Sequence, residues 1–207
     1  MIKVSVILPI YNQAPLVGRA ISSVIGQTFF NWELIIVTDG SLDARGEVAD
    51  AYAKHDKRIN ILNISERGEA AARDHGINCG RGELLTFLDA DDYYQPDHLI
   101  HQLVRFELKP ELMLLHGTPT VLGNPYIRDV HRPTETIPIS DCALPETFFV
   151  RPSVYKLVGR LPKIPFGEGQ LLYDRACELG LTTEKILMPT YVLDRTGERA
   201  GKRVPVS

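Results

Sequence analysis

The chain has 207 residues, of which 44% are hydrophobic and 24% charged, and a formal net charge of −3. That is enough chain to bury a core in one domain of ordinary globular composition. Lys and Arg are scattered until the basic stretch after Asp194, so no nucleic-acid surface is expected. No apolar run reaches the ~20 residues of a membrane helix. The first apolar run is broken by Pro9 and leads into Tyr11-Asn12 without a cleavage-like site, unlike a signal peptide. Cys79, Cys142 and Cys177 are odd in number, far apart and without metal-ligand spacing. They fit reduced thiols in a cytoplasmic protein, two of them on helix faces as small apolar fillers.

Lys3 to Ile10 is rich in β-branched residues and reads as a strand. Pro15 to Gln27 carries Leu16, Val17, Ala20, Ile21, Val24 and Ile25 on one helical face. Trp32 to Thr38 is a second buried strand, ending at Asp39-Gly40-Ser41, where Ser41 can cap a helix running to His55. Arg58 to Ile64 is a third strand, and Glu69 to Cys79 an Ala-rich helix closed by Gly80 and Gly82. Leu84 to Leu88 is a fourth strand. Pro96 to Leu108 is a helix, with Leu99, Ile100, Leu103 and Val104 on one face, and Leu112 to His116 a fifth strand. This β-α alternation predicts a mostly parallel sheet. It lacks both the Gly-x-Gly-x-x-Gly turn of a dinucleotide fold and the Gly-Lys-Ser/Thr of a phosphate loop. Residues 117–145 hold five prolines and little periodicity, apart from a short strand at Thr118 to Leu122. Pro152 to Val158 and Gln170 to Leu179 read as helices, the second with Leu171, Leu172 and Ala176 facing in and Gly180 closing it. Lys185 to Leu193 reads as a last strand.

The stretch Leu84-Leu85-Thr86-Phe87-Leu88-Asp89-Ala90-Asp91-Asp92 carries the most chemistry. A buried strand runs into three carboxylates, and unpaired charge inside an apolar core is costly. The acids therefore belong at the carboxyl end of the strand, where open α/β sheets bind ligands. Carboxylates crowded there repel one another unless a cation joins them. Mg²⁺ takes one or two carboxylates together with phosphate oxygens. The plainer reading is a solvated turn with Asp92 or Asp97 as a cap and Pro96 at the first helical position. One acid suffices for a cap, however, and Asp89, Asp91, Asp92 and Asp97 make four. The same sheet edge would collect Pro9, Tyr11, Asn12 and Asp39 from strands one and two. An acid opposite an aromatic and a proline suits a nucleobase and ribose. Arg73, on the preceding helix, could reach that edge and supply positive charge.

Four runs then resemble one family: Val4-Ser-Val-Ile-Leu-Pro-Ile-Tyr-Asn12, Leu34-Ile-Ile-Val-Thr-Asp-Gly-Ser41, Arg67-Gly-Glu-Ala-Ala-Ala-Arg-Asp-His-Gly76 and Thr86-Phe-Leu-Asp-Ala-Asp-Asp92. They are similar, in order and over nearly all of residues 3–100, to the inverting glycosyltransferases of family 2 with the GT-A fold. The resemblance implies a Rossmann-like, mostly parallel sheet with helices on both faces. Residues 1–117 would be the nucleotide-sugar half and 118–207 a short, irregular acceptor half of one continuous domain. It implies a nucleotide-sugar donor, most often a UDP-sugar, and a glycan, lipid-linked or other hydroxyl acceptor. Pro9, Tyr11, Asn12 and Asp39 would hold the nucleoside, with Arg73 near them. Asp89 and Ala90 would face the donor, and Asp91, with Asp89, would ligate Mn²⁺ or Mg²⁺ on the diphosphate.

The family takes its catalytic base from a Glu-Asp pair before a helix in the second half. The matching stretch is Phe166 to Gly180: Glu168 falls on the Glu, but Gly169 stands at the Asp. Glu168 is therefore the candidate catalytic residue, against the plainer reading of a helix N-terminal acid favoured by the dipole. Asp174, six residues beyond it, would point elsewhere. Three readings stay open: a metal-dependent hexosyltransferase; a nucleotide-sugar-binding protein or partner subunit without transfer activity, which Gly169 keeps in play; and a nucleotidyltransferase, which lacks its Gly-rich loop here. A cytoplasmic protein, peripheral at most to the inner face of a membrane, is expected, and a homo-oligomer is left open.

Overall fold

The computed structural model describes residues 2–10, 16–38, 44–65, 68–160, 164 and 167–196. In chain order the elements are β1 (Val4–Ile10), α1 (Val17–Ile25), β2 (Trp32–Thr38), α2 (Ala44–His55), β3 (Ile59–Asn63), α3 (Glu69–Cys79), β4 (Leu84–Phe87) and β5 (Tyr93–Tyr94). Then follow α4 (His98–Leu108), β6 (Leu114–Leu122), β7 (Tyr126–Arg128), β8 (Thr136–Pro138), β9 (Phe149–Val150), α5 (Pro152–Val158), α6 (Glu168–Glu178) and β10 (Thr183–Asp194). Ile139–Asp141 and Pro145–Thr147 form short 3₁₀ turns.

Among the described residues, eight strands form one sheet in the order β3-β2-β1-β4-β9-β6-β10-β5, and β7 and β8 pair as a separate antiparallel ribbon. β1 lies parallel between β2 and β4, and β2 parallel to β3. The sheet changes sense at β9, which runs antiparallel to both β4 and β6. It recovers a parallel pair at β6 and β10, and ends with β5 antiparallel to β10.

β1 and β2 are buried at every residue, as strands covered on both faces must be. Their side chains alternate between two apolar layers. Val4, Val6 and Leu8 pack with Leu34, Ile36 and the α1 residues Ala20, Ile21 and Val24. Ile7, Ile35 and Val37 pack on the other face with Ala72 of α3, Val154 of α5 and Leu172 of α6. The expected mostly parallel sheet with helices on both faces is therefore present.

Several local expectations shift. The stretch Tyr93 to Asp97 reads from sequence as a helix entry, with Pro96 at the first helical position. Instead, Tyr94 pairs with Tyr191 as a short strand, and α4 starts only at His98. Ile100 of α4 is half-buried and Val104 exposed, because His98, Gln102 and Phe106 take their places against the sheet. The separate strands expected near Leu112 and Thr118 are one strand, β6. Gly80 follows α3 in an extended conformation, whereas Gly180 closes α6 at φ +70° as expected. The thiols are also reversed. Cys79 and Cys177, on helices, are exposed, and Cys142, outside any helix, is buried. Burial raises the Cys142 thiol to about 11.

Candidate active site

Since β1, β2 and β4 are parallel neighbours, their carboxyl ends share one edge of the sheet. The Leu88 N–H bonds Ile7 O at 3.0 Å, carrying the pairing one residue past β4, and the chain then leaves the sheet at Asp89. Asp92 N–H to Asp89 O, 3.1 Å, closes the acid turn. The carboxylates of Asp89, Asp91 and Asp92 bring one oxygen each within 4.8 Å of the others.

These three acids are not equivalent. Asp92 is fully buried. Its Oδ2 accepts from Tyr191 Oη at 2.8 Å and its Oδ1 from the Asp194 backbone N–H at 2.9 Å. It therefore anchors the turn to β10 rather than capping α4. Asp97 stands at the α4 N-terminus without a side-chain cap bond, and accepts from Thr28 Oγ1 at 2.8 Å instead. Asp89 Oδ1 accepts from Arg73 Nη2 at 2.8 Å. Asp91 is held through its backbone, whose carbonyl accepts from Arg19 Nη2. Arg19 also lies 4.7 Å over the Tyr93 ring and bonds Asp194 Oδ2 at 2.8 Å. Ala90 is buried in the apolar layer next to α1, and Pro9 is buried in β1 opposite Val37. Tyr11, Asn12 and Asp39 lie outside the described residues.

Arg73 is the centre of the arrangement, with its side chain only 2% exposed. Its guanidinium meets Glu69 Oε1 at 2.6 Å, Asp89 Oδ1 at 2.8 Å, Glu168 Oε1 at 3.1 Å and Glu146 Oε2 at 4.0 Å. A buried charge is tolerated when several partners satisfy it. Burial alone would lower the pKa of this guanidinium, but the four carboxylates outweigh it and hold the group firmly protonated. Those carboxylates come from α3 itself, the acid turn, the 3₁₀ turn Pro145–Thr147 and the first residue of α6. Four distant stretches of sequence are thus gathered on one cation. Arg73 does reach the acid edge, as its helix position suggested, and the groups it meets there are acids.

Glu168 opens α6 after Gly167, whose φ of +79° and close approach to Val130 leave room only for glycine. Asp174 points away, as expected. It accepts from Gln170 Nε2 at 2.8 Å and lies 3.0 Å from His131 Nε2. Sequence reading did not single out Glu69, Glu146, Arg19, Tyr191 or Asp194. Of these, only Glu69 carried a local signal, four residues before Arg73 on the same helix.

The mostly parallel sheet with helices on both faces is the GT-A fold, and solved structures share that fold. S. aureus TarS 1-349 in complex with UDP-GlcNAc superposes with a TM-score of 0.78 at 20% identity, covering 99% of this chain and 62% of that one. The mannosyltransferase PcManGT from Pyrobaculum calidifontis, in complex with GDP-Man and Mn²⁺, gives 0.71 at 17% identity, covering 97% and 58%. The model of the family "Glycosyl transferase family 2" matches residues 5–152, and the chain belongs to that family. Among curated relatives, EpsJ of Bacillus subtilis, an uncharacterized glycosyltransferase, is 42% identical over 90 residues, 44% of this chain and 26% of that protein. An uncharacterized glycosyltransferase of Haemophilus influenzae is 36% identical over 115 residues, 55% of this chain and 46% of that protein. The chain thus spans less than half the length of these curated relatives.

Proposed function

We propose that the chain transfers a hexose, with inversion, from a nucleotide-diphospho-sugar, a UDP-sugar first of all, to an acceptor hydroxyl, with Mn²⁺ or Mg²⁺ as cofactor. The observation that carries this reading is the placement of two acidic groups. Asp89 and Asp91 lie at the carboxyl end of β4, and Glu168 lies across Arg73 from them. The complexes of TarS with UDP-GlcNAc and of PcManGT with GDP-Man and Mn²⁺ support the donor class and the metal.

The donor set fits a hard divalent cation, since the clustered side chains among the described residues offer carboxylate oxygens. Both Asp92 oxygens are engaged with Tyr191 and Asp194, and one Asp89 oxygen with Arg73. Asp91, with Asp89, would hold the ion, at the cluster their carboxylates form. A bound cation supplies charge neutralisation for a departing diphosphate. The chain's own residues do the rest. Arg19 and Asp92 fix the acid turn, so that Asp91 is presented in one orientation. Arg73 keeps Glu168 beside the donor edge, and Glu168 takes the acceptor proton at Oε1 or Oε2. Attack then comes from the face opposite the leaving group.

The test is release of nucleoside diphosphate from UDP-GlcNAc and from GDP-mannose with Mn²⁺, alongside calorimetric donor binding. Asp91→Ala should abolish metal-dependent binding. Unchanged binding by that variant would remove the metal from this account. Glu168→Gln should bind donor normally and lose about 10²–10⁴-fold in turnover, the range for a positioned base. Full activity in that variant would end its assignment. A second reading, donor binding without transfer, is favoured by Gly169. It becomes the answer if wild-type protein binds donor and releases nothing.

A further inference from the structure

Gly169 is buried, and no side chain fits there. A Cβ at this position would stand 2.5 Å from Ala143 O, 2.5 Å from Pro145 Cδ and 2.7 Å from Pro145 N. These are backbone and ring atoms, which cannot swing aside as the end of a long side chain can. The segment is also tied down. Ala143 N–H donates to Gln170 Oε1 at 2.8 Å, and Thr147 Oγ1 donates to Leu144 O at 2.8 Å. Phe148 N–H donates to Pro145 O at 3.0 Å, and the chain then enters β9. Residues 143–147 and the first turn of α6 are therefore one packed unit. That unit carries two carboxylates toward Arg73. Glu168 is bonded to Nη1, and Glu146, itself buried, lies 4.0 Å from Nη2. The Arg73 Nε–H, buried as well, has no hydrogen-bond partner among the described residues. The guanidinium is thus held by its two terminal nitrogens alone, and its orientation depends on which acids flank them.

We propose that Glu146 is a positioning residue for sugar transfer, supplying from the 143–147 loop the second carboxylate that α6 lacks at position 169. This rests on the transferase reading above. Glu146 acts through Arg73. Glu146 lies beside Nη2, the nitrogen that also meets Glu69 and Asp89, while Glu168 alone meets Nη1. Neutralising Glu146 weakens the pull on Nη2, lets the guanidinium turn toward Glu168, and takes Glu168 out of line with the acceptor. The close packing at Gly169 and the presence of Glu146 are then two sides of one rearrangement. The loop that fills the space of a side chain brings its own acid.

The experiment compares Glu146→Gln, Glu146→Asp and Gly169→Asp with wild type, using UDP-GlcNAc with Mn²⁺ and reading UDP release, UDP binding and thermal midpoint. Glu146→Gln should lower turnover by about 10- to 100-fold while donor binding holds within about twofold, since Glu146 acts through Arg73 on the proposed base and not on the donor. Glu146→Asp should recover part of the loss. Gly169→Asp should lower the thermal midpoint without raising turnover. Wild-type turnover in Glu146→Gln, or a stable and faster Gly169→Asp, would overturn the inference. A readout independent of turnover is the cycle of Glu146→Gln, Glu168→Gln and the double variant. Groups that share one guanidinium should shift the midpoint non-additively. If no UDP is released even by wild type, the transferase reading falls, and additive shifts would then sink the Glu146 proposal separately.

Discussion

The half of the sheet built from β1 to β4 and the half built from β9, β6, β10 and β5 are assembled differently. In the first, every strand pairs parallel with its neighbour, and a helix separates each strand from the next in sequence. In the second, parallel and antiparallel pairs mix, two strands are only two residues long, and β6 meets β10 across most of the chain's remaining length. The elements of the first half are marked by local sequence pattern, although β1 also meets the distant β4. The second half includes short strands that local pattern does not mark and that exist only when distant pieces meet. The proposed donor acids sit on the first half, and Glu146 and Glu168 are delivered by the second, so the site is only as good as the seam between them. That seam is β9.

The largest effect should come from breaking the seam. Phe149 is fully buried, pairs with Thr86 of β4 and Leu115 of β6, and packs 5.6 Å from the His98 ring. Phe149→Ala should cost about 3–5 kcal/mol, as for other buried aromatics. Urea denaturation should show one transition, since the halves share a core. Two separate transitions would mean that the halves are independent domains, and the comparison would fail.

Legibility follows the same division. β2 and α3 are found with the boundaries their sequences suggest, and β1 and β4 to within a residue, because an apolar run bounded by turn residues is a local signal. The second half gives less. Phe149-Val150 and Tyr93-Tyr94 are too short to show a period, and the β7–β8 ribbon lies in a proline-rich stretch that reads as loop. In the site, the meeting of Asp89 with Arg73 could be anticipated, because both belong to one strand-helix unit. Glu146 could not, since its place is set by packing of 143–145 against α6. The second Arg73 partner on the same loop-helix unit, Glu168, was visible only through its resemblance to a family motif. The thiols depart from expectation because helix-face position says less about burial than the neighbouring layer does.

Two glycines sharpen the comparison at intermediate magnitude. A Cβ at Gly117 in β6 would lie 2.4 Å from Met188 Cβ and 2.9 Å from Ile186 O. One at Gly76 in α3 would lie 2.4 Å from Ile7 Cγ2. Gly117→Ala should cost about 1–3 kcal/mol, the usual range for overpacking. Gly76→Ala meets a similar clash but regains roughly 0.5–1 kcal/mol of helix propensity, and its obstacle is a methyl group rather than backbone. It should therefore be the milder variant in the same denaturation assay. The reverse order would mean that the strand-helix half is the less tolerant one.

The smallest effect lies at the amino end of the sheet, opposite the acid edge, where Glu33 joins β1, β2 and the turn before β4. Its Oε1 accepts from Ser5 Oγ at 2.7 Å and from the Arg81 backbone N–H at 2.7 Å, while Oε2 accepts from Arg81 Nε at 2.9 Å. Burial pushes the Glu33 carboxyl up, but the Arg81 and Ser5 hydrogen bonds outweigh it and hold the group below its ordinary 4.5. A carboxylate with a depressed folded pKa stabilises above its unfolded value and loses that contribution as the pH falls through the folded value. Wild type should therefore exceed Glu33→Gln in thermal midpoint at pH 7, and the gap should narrow below about 4.5. Arg81 is well exposed, which keeps the effect modest. A gap that stayed constant from pH 7 into the acid range would mean that Glu33 contributes by packing alone, and that the charge at this end of the sheet does not help hold the first half together.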